Sequence, residues 1–282
     1  MLAIFVVESK IHDYSYYLSF IQKEKYMKHT AKSLLLLLHF WFPIALGWSI
    51  SLIMHRATGL PIDSLGMYLF LNGICAAYSL DRLLDFPKKQ PSWLWYVLLS
   101  GFVFSTTIGL IVSINLSLKT LSVVVALSLV SLLYRYFKPY PLVKTLLVSI
   151  IWVWAGAALP IHNNYWLAWN WWSYNISLPL FLLISAGCIL CDLKDVESDS
   201  QKGVRSLPVM LGVSYTIAIV SFLCIVAAIL SFYQHRYGIF VSSFVLTCLA
   251  WHPSVLSKEA LGPLLVDVTL ALPGILIFTR LV

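Results

Sequence analysis

Charge is what this sequence has least of. Only 11% of its 282 residues are Asp, Glu, Lys or Arg, while 60% are hydrophobic. A soluble domain carries about a quarter charged residues, so the composition excludes one and implies an integral membrane protein. Cysteine is also sparse. Cys75, Cys188, Cys191, Cys224 and Cys248 lie in or beside apolar runs, which suggests neither a disulfide framework nor a zinc site. The seven histidines form no HxxxH or HExxH pattern. The start of the chain lacks a basic leader: Leu2 to Val7 is apolar but Glu8 follows, so no signal peptide is expected. The net charge of +7 is not gathered into one patch, which argues against a nucleic-acid partner.

Long apolar runs, by contrast, fill the chain. About nine stretches are long enough to cross a bilayer as helices, the only open-ended structure that satisfies its own backbone there. They fall near 33–54, 62–80, 92–113, 117–134, 142–160, 175–190, 208–232, 237–251 and 261–280. The expected fold is all-α, a polytopic membrane protein of about nine transmembrane helices around a central cavity. Residues 1–32 form a separate lead-in, polar and aromatic with late lysines, suited to an interfacial helix or a flexible tail. With nine spans, one side of the membrane carries 15 of the 19 Lys and Arg. The other carries only Arg56, Lys119, Arg236 and Arg280. The positive-inside rule then places the N-terminus and the richer side in the cytoplasm, expected here to be that of a bacterial inner membrane. Tyr165, Trp166, Trp169, Trp171, Trp172 and Tyr174 fit an aromatic belt at the opposite interface, or a lid over a lipid-facing opening.

The scarce acidic residues are concentrated. Asp192, Asp195, Glu197 and Asp199 fall within eight positions, four of only 12 in the chain. On one helix Asp192, Asp195 and Asp199 share a face, and Glu197 lies well round from it. Three clustered carboxylates repel unless a cation sits between them, and an oxygen-only donor set suits Mg²⁺ together with substrate phosphates. A solvated loop is the plainer reading, but it has no use for that spacing. Asp81 and Asp85 form a second pair at i, i+4, with Tyr78 one turn earlier. Both clusters fall at helix ends on the cytoplasmic side, on helices running in parallel. A connector between them, Tyr134 to Lys144, mixes aromatics, cations and prolines. Lys144 either leans toward phosphate or serves the charge asymmetry. Asp267 is an acidic residue inside a span, and such carboxylates are functional candidates; it either orients a substrate or satisfies a neighbouring helix. His39 reads as a hydrogen-bonded core residue.

These residues suggest a mechanism. Mg²⁺ held by Asp81, Asp85, Asp192, Asp195 and Asp199 would bind an allylic diphosphate. Arg82, Lys144, Lys202 and Arg205 would neutralise the remaining phosphate charge. The allyl cation left behind needs a dry, aromatic-lined space. Rival readings are a lipid-diphosphate hydrolase and a non-catalytic membrane protein or transporter with a degenerate site. The D-G-x-x-A-R pattern of phosphatidyl-transferring enzymes is absent.

At Asp192, Asp195 and Asp199, followed by Gly203-Val204-Arg205-Ser206-Leu207-Pro208-Val209-Met210-Leu211-Gly212, the chain resembles the UbiA superfamily of intramembrane prenyltransferases. The resemblance spans roughly residues 33–282. It implies nine helices, two Asp-rich motifs on cytoplasmic loops, Mg²⁺, and prenyl transfer to an aromatic or quinone-precursor acceptor. It also implies a catalytic role for Tyr78, Asp81 and Asp192, and diphosphate binding by Tyr134, in the Tyr- and Pro-containing connector. The first motif departs from the family's N-D-x-x-D-x-x-x-D: Ala77 and Tyr78 stand where Asn and Asp are usual. Asn72 is too far upstream to substitute. Tyr78 then either stabilises a carbocation or bonds to phosphate, and the altered motif also admits a terpene cyclase that needs no acceptor.

Overall fold

The computed structural model describes residues 34, 38, 41–84, 92–114, 116–137, 140, 142–159, 177–201, 203–258 and 261–281. The lead-in, His39, Asp85, Lys202 and the aromatic segment 165–174 lie outside them. The chain divides into two units, Met1–Leu38 and His39–Val282, and the second is the subject here. The regular structure among its described residues is all helical, with no strand.

The long helices coincide with the apolar runs. They are α1 (41–58), α2 (Ser64–Leu84), α3 (Ser92–Ser113), α4 (Leu118–Phe137), α5 (Val143–Ala158) and α6 (Ser177–Cys191). A single 3₁₀ turn, Asp192–Lys194, and two short helices, α7 (Val196–Gln201) and α8 (Leu207–Leu211), follow. Then come α9 (Val213–Tyr233), α10 (Tyr237–Ala250), the short α11 (Pro253–Leu256) and α12 (Leu261–Phe278). Four segments among the described residues are long and apolar enough to cross a membrane: Trp93–Ser113, Ser177–Lys194, Val213–Tyr233 and Leu261–Phe278. Three further apolar helices, Thr120–Tyr134, Val143–Gly156 and Tyr237–Ala250, are shorter. The chain is thus an all-helical membrane protein.

Helix α6 organises the packing. It contacts α5, α9, α10 and α12, and Leu180, Leu183, Ala186 and Leu190 are wholly buried. Its small residues let neighbours come close: a Cβ on Gly187 would press into the side chain of Leu270 on α12. Lipid tails are as apolar as leucine, so polar contacts and close packing, rather than hydrophobic burial, join such helices. Ser185 on α6 donates to Ser149 on α5 at 2.9 Å, both buried. Asn72 on α2 donates to the Ser105 carbonyl on α3 at 2.6 Å, so its amide is committed to helix packing.

A proline break inside α12 is repaired by its neighbours. Pro273 has no N–H, which deprives the Thr269 carbonyl of its partner one turn earlier. Ser242 on α10 donates its hydroxyl to that carbonyl. On the other flank, Ser49 of α1 donates to the Ala271 carbonyl at 2.9 Å and accepts from the Gly274 N–H at 2.9 Å. Gly274 permits this, because a Cβ there would overlap Ser49. Three helices are thereby locked around one interruption, as expected where no water can satisfy the backbone.

Candidate active site

The two ends that carry the chemistry are badly placed for isolated helices. Lys144 lies in the first turn of α5, where the helix dipole is already positive. Asp192 follows the last residue of α6, where the dipole is negative. Each relieves the other: Lys144 Nζ donates to Asp192 Oδ1. Asp192 is 5% exposed. The chain enters α5 through Leu142, whose φ of 62° is rarely adopted by a branched side chain. Strain of this kind persists only where the surroundings hold it.

The aspartate motif is not the continuous helical face that the spacing predicts. Helix α6 stops at Cys191, residues 192–194 form a 3₁₀ turn, and the chain bends at Asp195 before α7. Backbone turns nonetheless link the three aspartates in succession. The Asp195 N–H donates to the Asp192 carbonyl at 3.1 Å, and the Asp199 N–H to the Asp195 carbonyl at 2.7 Å. Three residues complete a 3₁₀ turn and about 3.6 an α-turn, so successive aspartates still eclipse. Asp195 and Asp199 are both within electrostatic reach of Asp192. Glu197, predicted to point elsewhere, is exposed.

The segment beyond is shaped by two glycines. Gly203, at φ +69°, ends α7: its N–H donates to the Ser200 carbonyl and the next, Val204, to that of Asp199. This is the double bond of a Schellman cap. Gly212, at φ 80° and ψ 163°, joins α8 to α9 in a conformation open essentially to glycine alone. Arg205 between them is exposed.

Charges from the motif-bearing ends of α2 and α6 act on the same groups. Tyr134, near the end of α4, is within electrostatic reach of Lys144, Asp81 and Asp192. Arg82 and Lys144 both act on Lys194, which stands 3.9 Å from an Asp195 oxygen. Tyr78 packs edge-on against Trp152 of α5, with ring centroids 6.2 Å apart. The charged side chains that reach it are Asp267 and Arg82. Three helices and the 3₁₀ turn therefore bring Tyr78, Asp81, Arg82, Tyr134, Lys144, Asp192 and Lys194 into one region. Asp85 and Lys202 cannot be placed with them.

Two further features belong to this region, Asp267, whose role the sequence left open, and a cysteine pair. Asp267, 8% exposed on α12, faces this region: it is within electrostatic reach of Tyr78, Cys188 and Cys191. Cys188 and Cys191 form a C-x-x-C spacing that the sequence reading missed. Both thiols are free, and the spacing places them one turn apart on α6. The full ligand set for a metal is not closed: among the described residues, no three His, Cys, Asp or Glu side chains converge closely enough to hold one. The Asp192 carboxylate is engaged by Lys144. The donor set itself remains oxygen-rich, and Asp195 is open, with 45% of its side chain exposed.

Fold and site together describe a polytopic helical membrane protein with apposed carboxylates and cations at one end of its bundle. The family model described as the UbiA prenyltransferase family matches residues 93–260, and the chain belongs to that family. A curated relative, digeranylgeranylglyceryl phosphate synthase of Thermococcus gammatolerans, is 25% identical over 177 residues, covering 60% of this chain. The match spans 61% of that relative's length. Among solved structures, the apo form of a UbiA homolog from Aeropyrum pernix K1 aligns with a TM-score of 0.62 at 14% identity, covering 86% of this chain and 98% of that one. A UbiA homolog from Archaeoglobus fulgidus bound to DMAPP and Mg²⁺ aligns with a TM-score of 0.53 at 14% identity, covering 87% and 98%. These likenesses establish the shared fold. The relatives named are archaeal and lend no support to the bacterial membrane expected above.

Proposed function

We propose that the chain transfers a prenyl group from an allylic prenyl diphosphate to an acceptor within the membrane. The observation that carries this reading is the Lys144–Asp192 pair, set beside Tyr134 and Asp81. A lysine in the first turn of a helix is a ready site for phosphate. Its bond to Asp192 keeps that ammonium aimed at the aspartate motif until an anion competes for it. Arg82, Arg205 and Lys202 would share the remaining phosphate charge, and Tyr134 would donate to a phosphate oxygen.

Asp81, Asp85, Asp192, Asp195 and Asp199 are the residues that would hold Mg²⁺, and their all-oxygen chemistry suits it. Bound there, the ion would make diphosphate a better leaving group. The protein's own part is to orient the diphosphate, keep the reacting carbon dry, and shield the cationic carbon with ring faces such as those of Tyr78 and Trp152. We assign the carboxylate missing from the first motif to Asp267, which reaches Tyr78 from α12 and could accept the acceptor's proton. Residues 33–282 would form this catalytic unit, with both motifs and the N-terminus in the cytoplasm. Residues 1–32 would lie at the interface.

Membranes containing the protein, supplied with labelled prenyl diphosphates of several lengths, test the reading. The acceptor panel should hold aromatic and quinone-precursor acceptors and, because of the name of the curated relative, prenylated glyceryl phosphates. Transfer that disappears with EDTA and returns with Mg²⁺ is expected. No metal-dependent turnover at any length would overturn it. Diphosphate release without acceptor would instead favour hydrolysis or cyclisation, the second being the reading that Ala77 and Tyr78 keep open, and the lipid product distinguishes them.

A further inference from the structure

Three of the four cations that the sequence assigns to the less basic side gather at one place. Helices α1 and α12 run in parallel there. Ser49 pairs with Ala271 and Gly274, Trp48 packs edge-on against Phe278 at 5.1 Å, and Arg56 and Arg280 follow about two turns later. Arg56 and Arg280, with Ile277 and Leu281, line a cavity of ≈ 380 Å³. Both arginines are exposed. Arg236, between α9 and α10, completes the group. Its Nε is buried and has no hydrogen-bond partner among the described residues. Burial, then the Arg56 charge beside it, both pull the Arg236 guanidinium below its ordinary pKa.

This cluster is remote from the aspartates. Arg56 precedes α2, whose far end carries Asp81 and Arg82. Arg236 follows α9, whose near end succeeds the second motif. Each helix has 21 residues, a length of about 31 Å at 1.5 Å per residue. That is also about the thickness of a bilayer's hydrocarbon core. One arginine at the C-terminus of a helix merely offsets the dipole. Arg56 and Arg280 around one opening, with Arg236 within electrostatic reach of Arg56, repel each other, and a buried guanidinium N–H left without an acceptor adds the cost of desolvation. A bound anion removes both penalties. The two aliphatic residues in the same lining suit an anion with an apolar tail.

We propose that Arg56, Arg236 and Arg280 form a phosphate-binding site at the end of the bundle opposite the aspartate motifs, filled by the head group of an anionic phospholipid. The inference stands independently of the prenyl-transfer reading.

Thermal unfolding of the purified full chain in neutral detergent tests it, with three probes: dihexanoyl-phosphatidylglycerol, dihexanoyl-phosphatidylcholine and inorganic phosphate. The anionic lipid is expected to raise the midpoint by about 3 °C at saturation and the zwitterionic lipid much less. The R56Q/R280Q variant should lose that rise, and R56K/R280K should keep part of it. Native mass spectrometry of the same samples should count one retained anionic lipid fewer in R56Q/R280Q. A rise with inorganic phosphate alone keeps the site and changes its source from lipid to free anion. Equal shifts from the two lipids, no shift with any probe, or a shift and lipid count unchanged in R56Q/R280Q would overturn the proposal.

Discussion

Lys144 at the head of α5 is bound to Asp192 at the foot of α6, joining two residues that each stand at the unfavourable end of a helix dipole. The pairing turns two local conflicts into one site, and it couples the connector after α4 to the second aspartate motif.

Replacing Lys144 by Ala should lower kcat for prenyl transfer by about a hundredfold, the usual cost of losing one preorganised donor to a transferring group. Lys144→Arg keeps the charge and should recover part of the rate. Steady-state kinetics with varied prenyl diphosphate separate the two effects, and wild-type turnover in Lys144→Ala would remove this residue from the site.

Asp192→Ala should abolish metal-dependent transfer, whereas Glu197→Ala should leave it within about twofold, in the range of surface substitutions away from a site. The contrast follows from a buried Asp192 and an exposed Glu197 on the same short stretch. Comparable losses in the two variants would reject the assignment of the three aspartates as the working face.

Asp267→Asn preserves shape and removes the charge beside Tyr78. Transfer should fall about a hundredfold, the lower end of a general-base contribution, with the unfolding midpoint held within a few degrees. Tyr78→Phe, which keeps the ring against Trp152, should retain most of the rate if the ring face is what serves the cationic carbon. Full activity in Asp267→Asn would return that residue to a packing role.

Ser242→Ala orphans the Thr269 carbonyl and should destabilise the protein by about 1–3 kcal/mol. In a Pro273→Ala background the restored N–H can take the serine's place, so the same change should cost much less. A double-mutant cycle on unfolding midpoints measures the coupling, and additive effects would show that Ser242 does not repair the proline break.

Gly212→Ala should be the more damaging of the two glycine changes after the aspartate motif. Its φ of 80° with ψ of 163° is nearly closed to alanine, at a cost of about 1–3 kcal/mol. Gly203, at φ +69°, lies where alanine costs about 1–2 kcal/mol. Matched Tm measurements rank the pair.

Much of the fold was legible because the bilayer leaves so few choices. Apolar runs must become helices, and the runs read from composition coincide with the helices observed. The second motif stood out too, because four of only 12 acidic residues fall within eight positions. Spacing alone could not reveal that the motif is broken by a 3₁₀ turn, since 3₁₀ and α turns both stack residues three or four apart.

What the sequence determined by itself, then, was membership: a greasy all-helical chain with aspartates at two helix ends. What only the tertiary structure decided were the meetings of residues far apart in the chain. Lys144 finds Asp192 across 48 positions, Ser49 finds α12 across more than 200, and Asp267 reaches Tyr78 from the last helix. Hydropathy marks the apolar helices, four of them long enough to cross a membrane among the described residues, but not which faces touch. Those are chosen by packing, small residues and polar partners, and these pairings arise between segments whose local patterns carry no record of one another.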